Sequence, residues 1–142
     1  MKVLSTILIL ISNLTIYSQS DEVVGNYTLK LETVDKDVFE YQLTLSQDGT
    51  FSFHYYSYIK HGIPPEKNYY GKGKWTVENK VISFFSDKKN DFDEKYTMDF
   101  TGSKARFIIK SPRDKSDQII KTRLKFLKSE VPWMGAIEML KI

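Results

Sequence analysis

Apolar and polar residues alternate along most of this chain, and the turns between the alternating runs decide which residues share a face. Tyr41, Leu43 and Leu45 precede Asp48-Gly49, and Phe51, Phe53 and Tyr55 follow it. Each run reads as a half-buried strand. A two-residue turn here would set Phe51 opposite Ser46 and mix the faces. A three-residue loop of Gln47, Asp48 and Gly49 instead pairs Leu45 with Phe51 and Leu43 with Phe53, with Gly49 in the left-handed position of a bulged turn.

The same parity holds at three other turns. A loop of Asp35, Lys36 and Asp37 pairs Leu31 with Tyr41, Leu29 with Leu43 and Tyr27 with Leu45. A two-residue turn at Asn79-Lys80 pairs Val77 with Ile82 and Trp75 with Phe84. One at Gly102-Ser103 sets Phe100 by Ala105, Met98 by Phe107 and Tyr96 by Ile109. A one-residue slip would send each apolar set to solvent, so facing is strongly specified. Further on, Ile120, Leu124 and Phe126 face inward from a strand near 118–128, and a last strand near 136–142 closes the sheet. The prediction is an all-β, antiparallel up-and-down meander. Its inward set holds Tyr27, Phe39, Tyr41, Phe51, Phe53, Tyr55, Trp75, Phe84, Tyr96, Phe100, Phe107 and Phe126.

The first residues stand apart from this pattern. Met1-Lys2, the apolar run Val3 to Ile16 and the small-residue stretch Ser18-Gln19-Ser20 have the layout of a secretory signal cleaved near Gln19 or Ser20. A spanning helix needs about 20 apolar residues, and this run is shorter and interrupted by Ser5, Thr6, Ser12 and Asn13. The expected organisation is a signal over 1–19 and one domain over 20–142, secreted or periplasmic. With 142 residues and 41% hydrophobic content, such a domain can bury a substantial core.

The chain has no cysteine, which excludes disulfides, thiolate metal sites, a cysteine nucleophile and thioether lipidation. The formal net charge of +3 would fall by one with the signal, so this is no polycation. Charge is nevertheless uneven. Lys104, Arg106, Lys110, Arg113, Lys115, Lys121, Arg123, Lys125 and Lys128 face only Asp114 and Asp117 in that stretch. They form either a patch for an anionic partner or a solvated outer wall whose lysines block edge pairing. No nucleic-acid module accompanies them, and no nucleic-acid partner is expected.

Gly25-Asn26-Tyr27, Asp48-Gly49-Thr50-Phe51, Gly73-Lys74-Trp75 and Thr122-Arg123-Leu124 resemble the lipocalin-like domains of secreted bacterial proteins, over most of the chain from about Val23 onward. The resemblance implies a barrel of about eight to nine strands that is filled by side chains or holds one small ligand. Lipocalins proper carry tryptophan at the place of Tyr27, covered by an arginine whose nearest counterpart is Arg123. A related envelope-stress lipoprotein family carries cysteines that this chain lacks.

Catalytic chemistry has little support. His54 falls on an outward face and His61 in the Gly-Pro loop, neither with a motif-spaced partner, and Asp87, Asp91, Asp93 and Glu94 lack the spacing of a calcium loop. No catalytic residue, metal or cofactor is expected. The candidate binding residues are Tyr56, Tyr58, His61, Tyr69 and Tyr70, around a 60–68 loop long enough to cover a barrel mouth, with Trp133 of Pro132-Trp133-Met134. Tyrosine offers a flat apolar contact with a polar tip. The tyrosines could equally pin a hairpin, and Trp133 could plug the barrel end. The expected role is a monomeric, non-catalytic binding protein, not inserted in a membrane after signal cleavage, taking a small apolar molecule at one mouth, or alternatively a protein-binding module such as a secreted inhibitor or immunity protein.

Overall fold

The computed structural model describes residues 20–131 and 133–142, so the expected signal over 1–19 and Pro132 lie outside the described residues. After a helical turn at 20–23 the chain forms β1 (Gly25–Glu32), β2 (Val38–Leu45), β3 (Thr50–Tyr58), β4 (Glu66–Glu78), β5 (Val81–Phe85), β6 (Tyr96–Met98), β7 (Lys104–Ile108), β8 (Arg123–Lys128) and β9 (Glu138–Lys141). Antiparallel pairing runs β4-β3-β2-β1-β9-β8-β7-β5-β4, which closes an eight-stranded barrel with β6 as an extra strand. The upper mouth is the end carrying the β1–β2, β3–β4 and β8–β9 connections. The lower mouth carries the β2–β3, β4–β5 and β7–β8 connections and residues 20–24.

Two turns have the expected register. Leu45 pairs with Phe51 and Leu43 with Phe53, with Gly49 at φ 86. Trp75 pairs with Phe84 and Val77 with Ile82, with Asn79 and Lys80 both at positive φ as this tight hairpin requires. The first turn differs from expectation. Leu31 pairs with Phe39, Leu29 with Tyr41 and Tyr27 with Leu43, two residues away from the expected register. A five-residue loop, 33–37, replaces the three-residue one because Thr33 closes it. The Asp37 amide donates to Thr33 Oγ1 at 3.1 Å, and the Thr33 amide donates to the Asp37 carbonyl at 2.9 Å. A two-residue shift leaves every side chain on its face, so the hydrophobic pattern cannot detect it.

The Gly102-Ser103 hairpin does not form. β6 pairs parallel with Tyr70 and Gly71 of β4, while β7 pairs with β5, Ile82 opposite Ala105. β5 reaches only Lys74–Glu78 of β4, and β6 takes the part of that edge left free above it. Buried Ser86 fixes this arrangement. Its hydroxyl donates to the Lys72 carbonyl at 3.0 Å and accepts the Phe100 amide at 3.2 Å, while Thr101 Oγ1 donates to the Ser86 carbonyl at 3.0 Å. The register break between Tyr70 and Gly71 turns Tyr96 to the outer face, contrary to expectation, while Met98 stays buried. The eighth strand is also shorter than expected. Ile120 lies outside it, lining a surface cleft with Ile108, Gln118 and Leu140. In β9, Met139 is the buried residue that faces inward.

Aromatic rings fill the interior. Phe100 stands 4.9 Å from Phe53 and 5.4 Å from Phe51, and Phe84 stacks on Phe126 at 5.6 Å. Room for them comes from β4, where a Cβ at Gly71 would approach the Phe100 ring to 2.7 Å and one at Gly73 would meet the Phe85 carbonyl oxygen at 2.1 Å. At the lower end Tyr27 is fully buried and donates to the Val23 carbonyl at 2.5 Å, and burial pushes its phenol well above the ordinary range. Lys141 pairs with Tyr27 across β9, shares its inward face and donates to the Glu22 carbonyl at 3.0 Å. Arg123 instead lies on the outer face, 3.5 Å from Glu138, so the cation beside Tyr27 is Lys141.

Candidate functional site

The upper mouth collects the exposed aromatic groups that face inward. Alternation along β4 points Tyr69, Gly71, Gly73 and Trp75 to the interior, and Tyr69 stands highest of these. It stacks at 6.0 Å on Tyr55 of β3, which meets Tyr41 of β2 at 5.1 Å. Trp133, from the β8–β9 connection, lies across these rings, 4.4 Å from Tyr55, 5.9 Å from Tyr41 and 6.5 Å from Phe53. Met134 beside it is fully buried. The 129–137 connection, rather than the loop after β3, therefore places side chains in the mouth. Burial, and then the neighbouring Tyr55, raise the Tyr41 phenol, so Tyr41 stays a neutral hydroxyl at ordinary pH.

A gap in the wall opens beside this cluster. β7 begins only at Lys104, opposite Lys128, so nothing pairs with the outer edge of β6 above that level. The resulting cleft, about 410 Å³, is lined by Tyr69, Thr97, Met98, Asp99, Glu130, Val131 and Trp133. Tyr69, Met98, Val131 and Trp133 give it apolar and aromatic surface, and Asp99 and Glu130 add two acidic groups. Tyr69 is 41% exposed and Trp133 38%, so both rings offer open faces. Below them the rings of Phe51, Phe53, Phe84 and Phe100 pack against one another.

The sequence-predicted candidates are thus divided among three places. Tyr69 and Trp133 come together at the mouth. Tyr56, Tyr58 and Tyr70 are on the outer face, where Tyr56 donates to Glu66 at 3.2 Å and Tyr70 stacks on His54 at 4.4 Å with Lys95 Nζ 4.6 Å from its ring. His61 lines a separate cleft of about 480 Å³ with Val34, Lys36, Ile59 and Lys60, between the β1–β2 and β3–β4 connections. The mouth residues Tyr41, Tyr55, Met98 and Val131 were not among the candidates. Alternation places Tyr41, Tyr55 and Met98 inward but carries no information on their height along the barrel.

The acidic loop is occupied by its own backbone. The Asp87 amide donates to Asp91 at 2.6 Å, and Asp93 accepts the Lys95 and Tyr96 amides at 2.8 and 2.7 Å, which lowers its carboxyl below the usual range. Among the described residues no three acidic or histidine side chains are grouped to hold a metal ion, and no helix is long and apolar enough to cross a membrane. Comparison with protein-family models, with curated proteins and with solved structures finds no match for this chain.

Proposed function

We propose that this chain is a non-catalytic, exported binding protein whose lipocalin-like barrel takes a small, flat, apolar molecule at its upper mouth. The observation that carries this reading is the half-exposed pair Tyr69 and Trp133, standing over a ring-filled core beside a cleft of about 410 Å³. Stacked or tilted aromatic contacts give such a molecule surface burial together with geometric preference. Asp99 and Glu130 in the lining disfavour a negatively charged ligand.

Native mass spectrometry of protein purified from its source, together with titration of N-phenylnaphthylamine, a neutral planar fluorophore, tests the reading. Tyr69→Ala and Trp133→Ala are each expected to weaken probe binding about tenfold, equivalent to about 1.4 kcal/mol. Undiminished binding in both variants, or no binding by the wild type, would rule out the mouth.

A second reading rests on the upper rim, where loop residues Val34 and Ile63 are fully or almost fully exposed and Leu31 near the end of β1 by about half. An apolar rim of this kind suits a protein partner. A protein retained through purification, with no small molecule, would select that reading.

A further inference from the structure

We infer that the outer face of β5, β7 and β8 docks this protein on an anionic lipid bilayer. Lys104, Arg106, Lys125 and Lys128 all point outward there, and pairing sets Lys104 opposite Lys128 and Arg106 opposite Lys125. Like charges directly opposite across a ladder destabilise a sheet. Lys74 adds a fifth cation beside Phe85 on the neighbouring strand pair.

The acids nearby do not offset this. Glu138 lies opposite Lys125 but also serves Arg123 at 3.5 Å, and Glu78 pairs with Val81, which stands next to Arg106. Among the described residues Lys74, Lys104, Arg106 and Lys128 make no ion pair, side-chain hydrogen bond or ring contact. Nor do Arg106 and Lys125 protect an edge, because they pair with each other inside the closed wall, and Lys104 and Lys128 pair with each other at its upper limit. Blocking edge aggregation therefore does not account for them. The face carries an electrostatic cost that the fold does not use.

Two apolar side chains stand among the cations. Phe85 is 54% exposed and Leu127 48%, the latter at the irregularity in the β7–β8 ladder that leaves both Leu127 and Lys128 outside. Cations interspersed with an aromatic and an aliphatic tip match a membrane interface, where phosphates meet the lysines and the acyl boundary takes up the apolar tips. A nucleic-acid backbone would satisfy the charges but give Leu127 nothing, and the convex barrel wall presents no groove for a duplex. Each cation near an anionic surface contributes about fivefold in partition.

Flotation with phosphatidylcholine vesicles, with and without about one third phosphatidylglycerol, tests this surface. The wild type is expected to float with the anionic vesicles at low salt, to stay behind with neutral ones, and to be released by about 0.5 M salt. Lys104→Gln with Lys128→Gln should lower partition about 25-fold while melting no earlier than wild type, since a repulsive pair is removed. Phe85→Ser with Leu127→Ser should weaken binding and leave its salt dependence unchanged. Equal flotation by the lysine variant, no flotation of wild type at low salt, or displacement by a short DNA duplex at matched phosphate concentration would each overturn the inference. Failure here leaves ligand binding at the mouth standing, because the two sites share no residue.

Discussion

Gly71 and Phe100 occupy one space between them, and a double-mutant cycle should show it. Phe100 is fully buried, and its ring is hemmed by Phe51, Phe53 and Phe84 at 5.4, 4.9 and 6.1 Å. A methyl group at Gly71 would stand 2.7 Å from Phe100 Cε2, 2.9 Å from Cδ2 and 3.2 Å from Met98 Cβ. The ring cannot retreat without displacing its neighbours, so Gly71→Ala should cost about 1–3 kcal/mol. This outweighs the roughly 0.5–1 kcal/mol that alanine normally gains over glycine in a strand. Phe100→Ala should cost about 3–5 kcal/mol, from lost burial and the cavity left behind. In that background the overlap disappears and the new methyl partly fills the vacancy, so Gly71→Ala should be neutral or slightly stabilising. The coupling should be about 1–3 kcal/mol. Equilibrium urea unfolding followed by tryptophan fluorescence measures each corner, because Trp75 and Trp133 report from the barrel wall and its mouth. Phe100→Leu replaces Phe100→Ala if the larger truncation leaves no folded baseline. An equal cost for Gly71→Ala in both backgrounds would refute the packing of Phe100 against Gly71.

Two further outcomes follow from the same geometry. Replacing Tyr56 and Tyr58 together by serine should leave N-phenylnaphthylamine binding unchanged and lower stability by under about 1 kcal/mol, since both side chains lie on the outer face and do not line the mouth cleft; loss of probe binding would place the ligand elsewhere. Asp48 accepts the Thr50 hydroxyl and amide at 2.6 and 3.0 Å, and these bonds, the hydroxyl first, hold its carboxyl below the usual range. A depressed folded-state value means that its stabilisation is present above the unfolded carboxylate range and is lost as pH falls through the folded value. Asp48→Asn should therefore differ most from wild type near neutrality, with the gap closing in acid, and a gap independent of pH in urea titrations would contradict the assignment.

The alternation of Leu43, Leu45, Phe51 and Phe53 determines an antiparallel sheet with one aromatic face, because a side-chain period of two permits no other facing at Asp48-Gly49. Asn79-Lys80 determines its hairpin as fully, since only a two-residue turn keeps Trp75 and Phe84 together. Where a shift preserves parity, the sequence is silent: the 33–37 loop closes through Thr33, and the register moves by two with no residue changing sides. The hydroxyls of Ser86 and Thr101 decide another part. They satisfy buried backbone groups and hold β6 against β4 in place of a local hairpin, a non-local arrangement invisible to any pattern of apolar residues. The mouth belongs to this second kind. Alternation shows that Tyr41, Tyr55 and Tyr69 face inward, but their height in the barrel and the entry of Trp133 between them depend on closure of the whole wall. The basic outer face divides in the same way. Its cations are visible in the chain, whereas their like-charge opposition exists only once β7 and β8 are paired inside the barrel.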